Sequence, residues 1–455
     1  MQPPKKNERL TLSIQDLSPD GQGVGKTAGG FVVYVPGALP GETVQAHIIK
    51  TTARYAVGKL LSRQQDSPDR TPPPCPVFGR CGGCQLQHLA YEAQLRHKQA
   101  MVRQCLTRIG GLQQPEVRPT LGMDQPWHYR NKGQFPCAEV DGKAALGLFA
   151  SRSHRLVPVE DCPIEHPLVN AVVQATGRWM AEYDVPAYDE ARHAGMVRHV
   201  MARVGEGVVM AVLVTRKERV PHLVSWTEAM LAIPEVQSVY QVINNQRTNV
   251  VLSGDVRHLA GDPVITTRLG EAVFEVHPRS FFQVNTEQTL ALYEQVRQAA
   301  ALTGGEVLWD VYCGVGTISQ YLGREAGQIL GVEEAPEAVE NARRNAQRNG
   351  LPHARYEAGR AESVLPRWAA EGLRADVVVL DPPRKGCEPA LLQTLTGLQP
   401  GRIVYVSCNP ATLARDVKIL HDGGYILRYA QPVDLFPQTS GVETVALLSK
   451  EIVSE

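Results

Sequence analysis

Cysteines and carboxylates in this 455-residue chain fall into two patterns that point to two kinds of chemistry. Cys408 lies in Val404-Tyr405-Val406-Ser407-Cys408-Asn409-Pro410, just past an apolar run that reads as a strand. That is the carboxyl edge where open α/β sheets bind ligands. A cysteine there combines a strong nucleophile with a good leaving group, with a reference pKa of about 8.5. Glu443, in Phe436-Pro437-Gln438-Thr439-Ser440-Gly441-Val442-Glu443-Thr444-Val445, brings a carboxylate to the start of the last strand, where it can act as a base. The second pattern is Cys75, Cys81 and Cys84, a C-x5-C-x2-C loop rich in glycine. In a cytoplasmic chain such spacing favours metal ligation over disulfides. Three thiolates need a fourth donor. Cys162, in Asp161-Cys162-Pro163, fits best, since Cys105 sits in a helical pattern and Cys137 lacks a comparable loop. His88 as a fourth ligand to zinc is the rival, because spacing alone does not separate tetrahedral zinc from iron and sulfur. Cys313 and Cys387 read as small packing residues.

The elements needed to hold these groups are legible in the second half. Asn285 can cap a helix with Gln288 in capping-box position, and Gly304-Gly305 is expected to end it. Strand and helix then alternate: Val307 to Tyr312, Thr317 to Leu322, Gln328 to Glu333, Pro336 to Asn349, Asp376 to Leu380 and Arg402 to Ser407. This predicts a doubly wound, mostly parallel α/β sheet. Asp310-Val311-Tyr312-Cys313-Gly314-Val315-Gly316-Thr317 joins a buried strand to a helix through glycines that let backbone approach a ligand. Glu333 ends the next strand, where an acid can bind ribose hydroxyls, and Asp381-Pro382-Pro383 ends a later one. The missing third glycine disfavours a dinucleotide. Together these features resemble a class I S-adenosylmethionine methyltransferase domain.

Residues 9–63 read instead as short strands with Gly/Pro turns, a pattern for a small β-barrel. They resemble the TRAM domain, an OB-like RNA-binding barrel, through Leu17-Ser18-Pro19-Asp20-Gly21-Gln22-Gly23-Val24-Gly25, Phe31-Val32-Val33-Tyr34-Val35-Pro36-Gly37 and Pro40-Gly41-Glu42. A proline-rich linker, residues 67–74, leads into the cysteine loop, and a basic helix is expected from Tyr91 to Leu106. The expected organisation is a barrel at 1–63 and a mixed α/β central domain at 64–268, carrying the cysteine centre. A methyltransferase domain follows at 269–455, with a helical part near 93–123 packing on it.

With Phe281-Phe282-Gln283-Val284-Asn285, Asp310 to Gly316, Asp381-Pro382-Pro383-Arg384-Lys385-Gly386 and the segments around Cys408 and Glu443, the chain resembles the RNA 5-methyluridine methyltransferase family. The resemblance implies that Cys408 is the nucleophile and Glu443 the general base, and that Gln283, Tyr312, Glu333 and Asp381 contact S-adenosylmethionine. It also implies a 4Fe-4S cluster on Cys75, Cys81, Cys84 and Cys162. Relatives with both barrel and cluster act on 23S ribosomal RNA, the expected substrate here, with transfer RNA as runner-up. Many relatives carry histidine where this chain has Gln438 and Gly441. The chemistry demands the same residue types: C5 of uracil is too weak a nucleophile until a thiolate adds at C6, and a base must then remove the C5 proton so that the thiolate can leave. Arg384 is available to stabilise the uracil oxyanion or hold a phosphate. Amino-group methylation and a redox-sensing RNA-binding protein with a vestigial transferase domain are the rivals.

Charge fits this division of labour. The 47 basic and 47 acidic residues cancel, but residues 1–104 carry 13 basic and 7 acidic side chains, and residues 305–455 carry 15 and 19. A basic front suits RNA and an acidic rear suits a cationic sulfonium. No apolar run is long enough to span a membrane and no signal-like start is present, so a cytoplasmic location is expected; a monomer is expected as well.

Overall fold

Alternating burial closes the first strands on one another. The computed structural model describes residues 2–450. Strands β1 (Arg9–Leu17), β2 (Gly23–Lys26), β3 (Val32–Val35), β4 (Thr43–Thr51) and β5 (Ala56–Gln65) form a closed barrel in the order β1-β2-β3-β5-β4. Leu12, Ile14, Val33, Val35, Val44, Ala46 and Ile48 fill it. The sequence pattern reads the Gly21–Gly30 stretch as turn, yet it contains β2. The reason is close approach: a Cβ on Gly23 would come within 2.7 Å of the Ala38 carbonyl oxygen. Buried Glu42 ties the barrel to the linker, accepting from the amide of Leu39 (2.9 Å), Arg70 Nε (2.5 Å) and Arg70 Nη2 (3.0 Å).

After helix α1 (Tyr91–Arg108) the chain forms β6 (Lys132–Val140), β7 (Lys143–Phe149), β8 (Leu156–Pro158), α2 (Pro167–Glu182), β9 (Val197–Val204), β10 (Val209–Thr215), α3 (Leu223–Leu231), β11 (Val236–Ile243) and β12 (Asp255–Gly261). The strands make one sheet in the order β12-β11-β10-β9-β6-β7-β8. Trp179 of α2 and Trp226 of α3 pack edge to face in its core. The hairpin of β13 (Ile265–Leu269) and β14 (Ala272–Val276) leads to the second sheet.

That sheet comprises β15 (Val307–Val311), β16 (Gln328–Glu333), β17 (Ala354–Ala358), β18 (Val377–Leu380), β19 (Arg402–Ser407), β20 (Tyr425–Val433) and β21 (Glu443–Lys450), with helices α4 (Thr286–Ala300), α5 (Thr317–Tyr321), α6 (Pro336–Arg348), α7 (Ala361–Ala370), α8 (Pro389–Leu398) and α9 (Pro410–Asp422) in the connections. The order is β17-β16-β15-β18-β19-β21-β20, parallel except at β21. This is the α/β methyltransferase fold. Every residue of β18 is buried, as expected for a strand covered on both faces. The order reverses between β15 and β18, which opens a ligand crevice at their carboxyl ends.

Two local expectations change. Asn285 caps α4 by accepting from the Gln288 amide, but the Gln288 side chain donates to Gly122 O rather than back to Asn285. The helix ends at left-handed Ala301 (φ 44°), before the glycine pair, because the Ala301 amide already closes onto Arg297 O. Helix α1 packs on α9: Met101, Val102 and Leu106 share a core with Leu413, Ala414, Val417 and Leu420. Among the described residues no helix is long and apolar enough to cross a membrane.

Candidate active site

Antiparallel pairing of β19 and β21 sets Ser407 opposite Thr444, so Cys408 and Glu443 emerge side by side at one edge of the sheet. Asp381 leaves the parallel neighbour β18 at the same edge, with Arg384 three residues on. Their fields overlap. Burial pushes the half-buried Cys408 thiol up to about 11; Glu443 and Asp381 reinforce the rise and Arg384 opposes it. Glu443, only 4% exposed, is held well above the carboxylate range by burial first and then by Asp381, again with Arg384 opposing. Burial, then Asp310, raises Asp381 to about 7. A thiol, two carboxyls and a guanidinium are thus gathered at one edge of the sheet.

The loop after β15 lies beside this group. Tyr312 adopts a left-handed backbone (φ 66°) ahead of Gly314 (φ 55°) and Gly316 (φ 77°). A Cβ on Gly316 would meet Gln320 Nε2 at 2.6 Å, whereas one on Gly314 meets nothing within 4 Å, so the Gly314 side is open to a ligand. Glu333 buttresses the loop, accepting from the amides of Gly314 (3.1 Å) and Ala335 (3.0 Å). The Tyr312 hydroxyl donates to Glu362 (3.2 Å). Gln283 lies in the segment before α4, which the central sheet holds: Asn131 Nδ2 donates to Gln283 O (3.1 Å) and Arg203 Nη2 to Ser280 O (2.7 Å). In the same segment Phe281 is 71% exposed while Phe282 is buried. Asn131 and Arg203 carry no sequence signal, because their role depends on contacts about 80 to 150 residues away. Asp310 was legible within its motif. It is buried, accepts from the Ser319 amide (3.2 Å), and is raised to about 6, mainly by burial.

These features fit a cationic methyl donor. An open glycine turn stands beside carboxyls raised first by burial and then by one another's charge, a setting in which a bound cation would favour their ionised forms.

The four cysteines converge from two segments. Burial raises Cys84 to about 12, with Cys81 and Cys75 adding to the rise; burial also raises Cys162 to about 12, with Glu165 and Cys84 adding. Val77 and Cys84 pack on the core that includes Cys162. Among the described residues, however, no three His, Cys, Asp or Glu side chains are disposed to hold a metal ion. His88 packs against Phe78 of the cysteine loop, with ring centroids 5.3 Å apart, and burial lowers it to about 4.

Residues 90–451 match the family described as tRNA (Uracil-5-)-methyltransferase, and residues 4–61 match the TRAM domain. An uncharacterised RNA methyltransferase of Halalkalibacterium halodurans is 46% identical over 449 residues, covering 98% of each chain. One from Bacillus cereus is 44% identical over 452 residues with the same coverage. The crystal structure of Pyrococcus abyssi tRNA (uracil-54, C5)-methyltransferase with S-adenosyl-L-homocysteine superposes with a TM-score of 0.78 at 28% identity, covering 96% of this chain and all of that one.

Proposed function

The chain belongs to the tRNA (Uracil-5-)-methyltransferase family of S-adenosylmethionine-dependent RNA enzymes, and we propose that it methylates C5 of a uridine in 23S ribosomal RNA through a covalent Cys408 adduct. The observation that carries this reading is the convergence of Cys408, Glu443, Asp381 and Arg384 at one sheet edge. The Cys408 thiolate adds to C6 of the uracil, and electron density moves onto C5 and the O4 enolate. Arg384 offsets that charge. Gln283, Tyr312, Glu333 and Asp381 would hold S-adenosylmethionine, whose methyl group would pass to C5 as the S–CH3 bond breaks and S-adenosylhomocysteine leaves. The Glu443 carboxylate, made a strong base by burial, takes the C5 proton, and the C5–C6 double bond re-forms as the C6–S bond breaks and returns the thiolate.

The uracil must be unpaired or flipped out of its stack, at a cost of a few kcal/mol. The exposed ring of Phe281 offers a stacking face and the basic front of the chain offers phosphate contacts. Cys75, Cys81, Cys84 and Cys162 would be the thiolate ligands of a 4Fe-4S cluster. Bound there it would cross-link the cysteine loop to the central sheet, on whose core Cys84 packs, and would supply no step of methyl transfer. The chain acts as a cytoplasmic monomer.

Ribosomal RNA is favoured by the resemblance that couples barrel and cysteine centre. Transfer RNA is the second reading, favoured by the likeness to the Pyrococcus abyssi enzyme across 96% of this chain. Incubation with 23S ribosomal RNA fragments and with transfer RNA transcripts separates them by which one gains 5-methyluridine. A Cys408→Ala enzyme that still methylates, or failure of the wild type to form an adduct with 5-fluorouridine RNA, would remove the covalent mechanism.

A further inference from the structure

The connection between β20 and β21, residues 434–442, delivers Glu443 into the site, and each residue from Asp434 to Gln438 is held from outside the hairpin. The fully buried Lys98 of α1 donates to Asp434 Oδ1 (2.5 Å) and to Phe436 O (3.1 Å). Asn285 Nδ2 donates to Leu435 O (3.1 Å), and the Tyr129 hydroxyl to Pro437 O (2.9 Å). At Gln438 the restraint is densest. Gln94 Nε2 donates to Gln438 Oε1 (3.0 Å), the Gln438 amide donates back to Gln94 Oε1 (3.1 Å), and the amides of Gln85 and Leu86 both donate to Gln438 O (3.1 and 3.0 Å). Gln85 Oε1 also accepts from the Ser440 amide (3.3 Å).

Gln438 is 3% exposed and left-handed (φ 69°), a conformation that a non-glycine residue keeps only where its surroundings over-determine it. There is a reason to fix this segment. When Glu443 ionises to accept a proton, it does so buried beside Asp381, and a free hairpin would let the charge withdraw toward water.

We infer that Gln94, acting with Gln85 through Gln438, is a positioning residue for Glu443 and serves the proton-removal step in particular. The inference rests on the reading of Glu443 as base. Gln94 touches neither crevice nor nucleophile; it acts through the hairpin. Because Gln85 follows Cys84 directly, the cysteine loop forms one wall of the same clamp.

The experiment compares Gln94→Ala, Gln438→Ala and the double variant in single-turnover reactions with S-adenosylmethionine and uridine RNA. It follows both formation and resolution of the denaturant-stable protein–RNA adduct. Formation should stay within a few-fold of wild type, while resolution slows about 10- to 100-fold, so that methylated adduct accumulates. The double variant should be no slower than Gln94→Ala alone, because the one side-chain bond that Gln438→Ala removes is already lost there. Equal slowing of formation and resolution, no change in either, or additive effects would overturn the inference. If the Gln94 variant is unfolded by circular dichroism, Gln85→Ala, at the rim of the clamp, takes the same comparison. Absence of any adduct with wild-type enzyme and 5-fluorouridine RNA would instead strike the reading of Cys408 and Glu443 themselves.

Discussion

Cys408 reactivity can be worked out from the charges around it. With the thiol pushed up to about 11, about one molecule in a thousand carries the thiolate at pH 8, against about one in four for an unperturbed cysteine. Alkylation of Cys408 by iodoacetamide in RNA-free enzyme should therefore rise about tenfold per pH unit from pH 7 to about 10. After burial, Glu443 is the next influence raising the thiol, and Arg384 is the one lowering it. Glu443→Gln should move the midpoint down and Arg384→Gln should move it up. A unit charge about 4 Å away is worth about 0.7 to 3 pH units between dielectric constants of about 80 and 20. Exposed Arg384 should fall at the small end of that range and buried Glu443 at the large end. Peptide mass spectrometry after timed alkylation isolates Cys408 from the other eight cysteines. A midpoint at or below about 8.5, or shifts of the same sign in the two variants, would refute this account of the site.

Asp381, raised to about 7, should bind the cationic donor more tightly as pH rises through that value, because only the ionised carboxylate attracts a sulfonium. By calorimetry S-adenosylmethionine should show this dependence, S-adenosylhomocysteine should show less, and Asp381→Asn should abolish the difference. Burial tends to raise Glu42, but Arg70 and the Leu39 and Ser67 amides outweigh it and hold the carboxyl below its ordinary value. Its folded pKa is therefore depressed, so it stabilises the barrel above about pH 4.5, an effect lost as pH falls through the folded value. Glu42→Gln should weaken the barrel by about 1–3 kcal/mol at pH 7, read as faster amide exchange in β4 and β5; unchanged exchange would contradict the buried pair. Cys84→Ser and Cys162→Ser should each remove iron, inorganic sulfide and the brown absorption from anaerobically purified protein. Equal iron content in wild type and variants would exclude those ligands.

Much of this was legible in the sequence because it is encoded locally. Strands buried on both faces, such as Val377–Leu380, must be apolar throughout, and a strand-to-helix turn that approaches a ligand needs Gly314 and Gly316. Alternating strand and helix then implies the sheet, and a cysteine or acid at a strand end implies the edge it occupies. Weaker patterns escaped: β17 is a half-buried edge strand, and α7 carries Pro366 inside it. What no local pattern encodes is which edges meet. The pairing of Cys408 with Glu443 follows from the antiparallel insertion of β21 between β19 and β20. The clamp joins Gln94 to Gln438 across 344 positions, and Asn131 steadies Gln283 from another sheet. Residue types and short spacings determined which chemistry was available. Topology and long-range packing decided which groups share one buried field, because charge and hydrogen bonding act through space while sequence patterns report only neighbours along the chain.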